Sequence, residues 1–133
     1  MTRAGVWRLL SWGMVAAWLV IIWQFGESQA FPLPPSDAVR IWLLRKGLHL
    51  TVYGVLGGLL ALACGPGRQW GWIVSLCLLV AFGDELHQQS VPHRSFHFYD
   101  LGIDLLGAMV GAFLWRKCVN LTALWRKEES FSV

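Results

Sequence analysis

The chain has 133 residues, 56% of them hydrophobic and only 14% charged, with nine tryptophans and a formal net charge of +3. A water-exposed domain of this size needs a larger polar share, because a small fold keeps much of its chain at the surface. The charge is too slight for a nucleic-acid binder and gathers at the ends of apolar runs, so the expected partner is the lipid bilayer and no nucleic acid.

Residues 9–26 form the first uncharged run, behind Arg3 and Arg8. A secretory signal shares this basic start, and Ser28 and Ala30 stand at cleavage spacing. A signal core, however, has about 7–15 apolar residues, so this longer run reads as a retained span. Prolines exclude helix from 31–37, where Ser36 or Asp37 can cap a short helix beginning just after them. Residues 41–46 (IWLLRK) are amphipathic and suit a short interfacial helix before the second span. The second span ends in the turn of 65–72 (GPGRQWGW). The third apolar run, 69–83, and the fourth, ending at Trp115, fall short of the roughly 20 residues that cross about 30 Å of hydrocarbon. Their acidic ends must therefore be counted into the helices. The expected fold is an all-α integral membrane four-helix bundle in one domain, 1–133, with spans near 7–26, 46–65, 69–89 and 97–116.

Other residue types are less informative. Cys64, Cys77 and Cys118 lie in or beside apolar segments without CxxC spacing and read as small hydrophobes. Trp42, Trp70, Trp72, Trp115 and Trp125 read as interface anchors, and 126–133 as a solvated end. With the N-terminus inside, Arg3, Arg8, Arg68, Arg116, Lys117, Arg126 and Lys127 are cytoplasmic, against Arg40, Arg45, Lys46 and Arg94 outside. Seven against four places both termini in the cytoplasm.

The polar residues of the membrane segments arrive at one height. Asp84 lies 16 residues after Arg68, and Asp100 lies 16 before Arg116, each about 24 Å along a helix. His49 and Tyr53 lie about 27 and 21 Å above Gly67 by the same rise. Lys46, His49 and Tyr53 share one helical face, as do Asp84 with Gln88 and Asp100 with Asp104. Gly54 and Gly58, and Gly107 and Gly111, form GxxxG pairs that let helix backbones approach closely. An ionised carboxylate at mid-membrane costs about 2.5–3.5 kcal/mol, so Asp84, Glu85, Asp100 and Asp104 need partners, protons or water. Lys46, Arg45, Arg94 and the histidines His49, His87, His93 and His97 are the candidates. The arrangement implies a polar pocket at the outer membrane face.

KGLHLTVYGVLG followed by FGDELHQQSVPHRSFHFYDLGIDLLGAMVG resembles the VanZ-like family of small bacterial membrane proteins. The family pattern is a Lys/His/Tyr helix, a D-E-x-x-Q motif, a P-x-R turn and a D-x-x-x-N helix, and the likeness spans residues 23–111. Lys46, His49, Tyr53, Asp84, Glu85, Gln88, Arg94 and Asp100 fall on motif positions. Asp104 stands where the family more often has Asn, and His93 where Gly is common. The resemblance implies a cell-envelope protein of the bacterial inner membrane, with a link to resistance against teicoplanin-type glycopeptides.

Two functional readings stand. In the first, Lys46, His49, Tyr53, Asp84, Glu85, Gln88, Arg94, Asp100 and Asp104 bind a lipid-linked or anionic small molecule without turnover, Arg94 by a fork and Lys46 as a point charge. In the second, Asp84, Glu85, His49 and Asp100 are catalytic candidates for acid–base chemistry on a lipid-linked phosphate or other envelope intermediate. No serine or cysteine nucleophile motif and no phosphate loop accompanies them. A metal set drawn from His49, Asp84, Glu85, His87, His93 and His97 matches no standard spacing, so neither a metal nor a cofactor is expected.

Overall fold

The computed structural model describes residues 3–28, 38–65, 70–90 and 97–131, with side chains omitted at 3–4, 25, 27–28, 38, 41 and 121–131. Four helices follow one another: α1 (Arg3–Ser28), α2 (Ala38–Cys64), α3 (Trp70–Gln88) and α4 (Phe98–Phe131), with no strand among the described residues. Each is long and apolar enough to cross a membrane, over Gly5–Gln24, Trp42–Cys64, Trp70–Gln88 and Phe98–Asn120. Only helices and closed barrels satisfy every backbone group inside lipid, which is why such apolar stretches become helix.

Two boundaries differ from the sequence expectations. Residues 41–46 are the opening turns of α2, not a separate interfacial helix. No proline interrupts 38–64, so continuing the backbone hydrogen-bond ladder is cheaper than ending it beside Gly47. Helix α4 likewise runs past Arg116 and Lys117 to Phe131. Charged side chains end a span without ending a helix. Elsewhere the helix stops follow local chemistry. Gly65, at φ 76°, caps α2 in the left-handed region, and its N–H bonds to the Ala61 carbonyl at 3.2 Å. The end of α3 closes through Ser90 N–H to the His87 carbonyl at 3.0 Å.

The most extensive packing joins α2 to α4. The two run parallel, with Lys46 beside Asp100 and His49 beside Asp104. Below these pairs the backbones touch. A Cβ on Gly57 would fall on the Ala108 carbonyl, one on Gly107 on the Leu50 carbonyl, and one on Gly111 on the Gly54 carbonyl. The two GxxxG motifs therefore face each other, and Gly57 joins them. Without a hydrophobic force between helices in lipid, such approach supplies the dispersion contact that holds them. Helix α1 packs on α2 and α3, and among the described residues its backbone does not come close to α4. Trp18 fastens it, donating from Nε1 to the Val52 carbonyl at 2.9 Å.

The interior runs through Tyr53, Leu56, Leu60, Ile73, Cys77, Ala81, Ala108 and Ala112. Large apolar side chains such as Leu79, Val110 and Leu114 point outward, as a helix bundle surrounded by lipid requires. Cys64 and Cys77 are buried free thiols, whereas Cys118 is exposed.

Candidate functional site

The polar residues of α2, α3 and α4 meet at the end of the bundle where α3 finishes and α4 begins. Lys46 is ion-paired with Asp100, and both side chains are largely covered. The Lys46 ammonium also lies over the Tyr99 ring, 4.6 Å from its centre, a cation–π contact strengthened by partial desolvation. One turn deeper, His49 Nδ1–H donates to Asp104 Oδ1 at 3.0 Å. Asp104 is wholly buried. The 46/49/53 and 100/104 faces thus interlock as two rungs between parallel helices, with helical spacing setting both at once.

Helix α3 supplies the other acids. Gln88 Nε2 donates to Asp84 Oδ2 at 2.7 Å, one turn away. The His97 N–H reaches Glu85 Oε2 at 3.4 Å, tying the start of α4 to the end of α3. Glu85 lies within electrostatic range of His49, Asp100 and Asp104, and Tyr53 of Asp84, Glu85 and Asp104. Three buried atoms here, Tyr53 Oη, Glu85 Oε1 and Asp104 Oδ2, have no hydrogen-bond partner among the described residues. Buried polar atoms are almost always paired, and the exceptions gather where a protein meets water, an ion or a ligand.

Helix α1 completes the enclosure, which the sequence pattern did not suggest. A small cavity of about 20 Å³ is bounded by Ile22 and Gly26 of α1, Leu48, His49, Val52 and Tyr53 of α2, and Asp84 and Gln88 of α3. It has room for one water molecule. A Cβ on Gly26 would lie 3.1 Å from Asp84 Oδ1, so α1 passes close beside the acid here and a larger residue would have to shift the carboxylate by a few tenths of an ångström. Trp23, one turn before, stacks on His87 with ring centres 3.6 Å apart. His87 is therefore half-buried against α1. Gly26 reads in sequence only as the end of an apolar run, and Trp18 and Trp23 only as apolar bulk, so no sequence signal marked them.

Of the expected site residues, Lys46, His49, Tyr53, Asp84, Glu85, Gln88, Asp100 and Asp104 come together. Arg94 and His93 lie outside the described residues, as do residues 31–37 and 66–69 and the side chains of Trp125, Arg126 and Lys127. Among the described residues, no group of three or more His, Cys, Asp or Glu side chains is arranged to hold a metal ion. Trp42 and Trp72 are exposed, and Trp70 carries the Arg116 guanidinium 4.4 Å above its ring.

Four lipid-crossing helices around a buried polar centre define a multi-pass membrane protein. The VanZ/LLP1 family model matches residues 7–122. The match covers most of the 133 residues, and the chain belongs to that family. No curated protein and no solved structure matches it.

Proposed function

We propose that this chain is a polytopic protein of the bacterial inner membrane, with both termini cytoplasmic, that acts in the cell envelope by binding at the α2–α3–α4 polar cluster. Its physiological context is resistance to teicoplanin-type glycopeptides, and the ligand is a lipid-linked or small envelope molecule received at the outer face. The observation that carries the reading is the convergence of three helices on Tyr53, Glu85 and Asp104, each buried with a polar atom that has no hydrogen-bond partner among the described residues. A purely structural network would pair these atoms internally, because each unmade hydrogen bond costs about 1–3 kcal/mol. Ligand anchoring by Lys46 competes with Asp100, so recognition there exchanges one ion pair for another.

The test is a susceptibility measurement in a sensitive bacterial host. Expression of the wild-type chain should raise the teicoplanin inhibitory concentration at least fourfold. Tyr53→Phe and Glu85→Gln, present in the membrane at wild-type amounts, should cancel that rise. An unchanged concentration with the wild-type chain, or full protection by both variants, would sink the proposal.

The His49–Asp104 pair beside Tyr53 favours one second reading, an enzyme using His49 in acid–base chemistry on a lipid-linked phosphate. Purified protein incubated with labelled envelope lipids separates the two. Turnover that disappears in His49→Gln selects the enzyme, and saturable binding without turnover selects the binding protein.

A further inference from the structure

On the lipid-facing side of the α2–α4 contact lies a second, larger cavity of about 480 Å³. Its walls are Leu50 and Val55 on α2 and Val110 and Leu114 on α4, and its floor is the line where the glycine backbones touch. The lining is apolar, and its one hydroxyl, Thr51 Oγ1, is already donated to the Gly47 carbonyl at 2.8 Å. Between Gly107 and Cys118 the groove extends about 16 Å along α4. That matches half of a hydrocarbon core about 30 Å thick, the depth of one acyl chain in one leaflet.

The upper end of the groove is charged. Leu50 is one turn below Lys46 on the same face of α2, and Gly107 is two turns below Asp100 on the same face of α4. The Lys46–Asp100 pair therefore stands directly above the groove, partly accessible, with exposed Tyr99 alongside. An ammonium and a carboxylate side by side complement a headgroup carrying a phosphate and an amine.

We propose that the α2–α4 groove is a binding site for a zwitterionic phospholipid of the phosphoethanolamine class, with one acyl chain on the glycine floor, the phosphate at Lys46 and the ammonium at Asp100. The groove faces the bilayer across the α2–α4 contact from the buried cluster, and its headgroup end uses the Lys46–Asp100 pair at the edge of that cluster. It shares Lys46 and Asp100 with the binding reading above, but its readout is lipid retention and not susceptibility, so either can fail without the other.

The protein is reconstituted in nanodiscs of equimolar palmitoyl-oleoyl phosphatidylethanolamine and phosphatidylglycerol, then released for native mass spectrometry. The expected result is a monomer retaining one phosphatidylethanolamine, enriched at least fivefold over phosphatidylglycerol. Val110→Trp and Val55→Trp, which fill the groove from opposite walls without entering the glycine contact, should each lower retention at least fivefold. Leu79→Trp, on the exposed face of α3, should leave retention unchanged. Lys46→Gln combined with Asp100→Asn should abolish the enrichment while chain binding persists. Retention at the input ratio, retention unaffected by both groove-filling variants, or a dimer that those variants dissociate would each overturn the proposal. Helicity by circular dichroism confirms that every variant compared is folded.

Discussion

At the scale of single residues, Asp104 does what its neighbours in sequence do not advertise. It is wholly buried, it holds His49 through one oxygen, and its other oxygen has no hydrogen-bond partner among the described residues. An amide at this position keeps an acceptor for the His49 ring N–H, while a methyl group leaves that N–H buried and unpaired. Asp104→Asn should therefore melt close to wild type in detergent. Asp104→Ala should lose about 1–2 kcal/mol, between the cost of an orphaned donor and the smaller hydrogen-bond energies measured in membranes. Differential scanning fluorimetry ranks the two, and equal losses would remove the His49 bond from the account. The polar positions themselves were legible from helical spacing, since i, i+4 residues share a face in any helix. Their pairings were not: nothing in the spacing of Lys46, His49, Asp100 and Asp104 says that Lys46 meets Asp100 and His49 meets Asp104.

At the scale of elements, glycine positions separate into two kinds. Gly57, Gly107 and Gly111 lie where a Cβ would strike the backbone of the facing helix, whereas Gly13, Gly71 and Gly83 have nothing within 4 Å. Alanine at Gly57 or Gly111 must push α2 away from α4, an overpacking cost of about 1–3 kcal/mol or more. Alanine at Gly13 or Gly83 meets no obstacle and gains helix propensity of up to about 1 kcal/mol. Thermal melting should fall sharply for Gly57→Ala and Gly111→Ala and hold or rise for Gly13→Ala and Gly83→Ala. A uniform response across the four would mean that the close contact does not hold the pair together. The GxxxG motifs were visible in the sequence, but Gly57 lies between the two glycines of one motif and its contact depends on the crossing register. Sequence periodicity also marked residues 41–46 as amphipathic, yet it could not tell an interfacial helix from the first turns of a longer one.

At the scale of the whole molecule, the four helices must alternate in direction, so α2 and α4 run parallel and carry their polar ends to the same side. The proposed topology puts that side outside, on the balance of Lys and Arg between the two faces. Substituted-cysteine labelling tests it in a background with Cys64, Cys77 and Cys118 replaced by serine. Ser90→Cys, at the exposed end of α3, should react with a membrane-impermeant maleimide in intact cells. Reaction only after permeabilisation would invert the orientation and move the polar cluster to the cytoplasmic face. Helix α1 has its own consequence at this scale. It bounds the small cavity beside Asp84 through Ile22 and Gly26 and stacks Trp23 on His87, while its backbone stays away from α4, so it is the element whose displacement would open the buried cluster from the side.

The sequence alone determined that the chain is helical, that four segments cross lipid, and which residue types share each helical face. Those properties follow from hydrocarbon thickness, the rise per residue and the 3.6-residue period, which act on each segment separately. Only the tertiary structure decided which faces meet: Lys46 with Asp100, His49 with Asp104, glycine floor against glycine floor, and α1 over Asp84. Helix rotation and neighbour choice are set by close packing between segments far apart in the chain, and a one-dimensional pattern carries no measure of that fit.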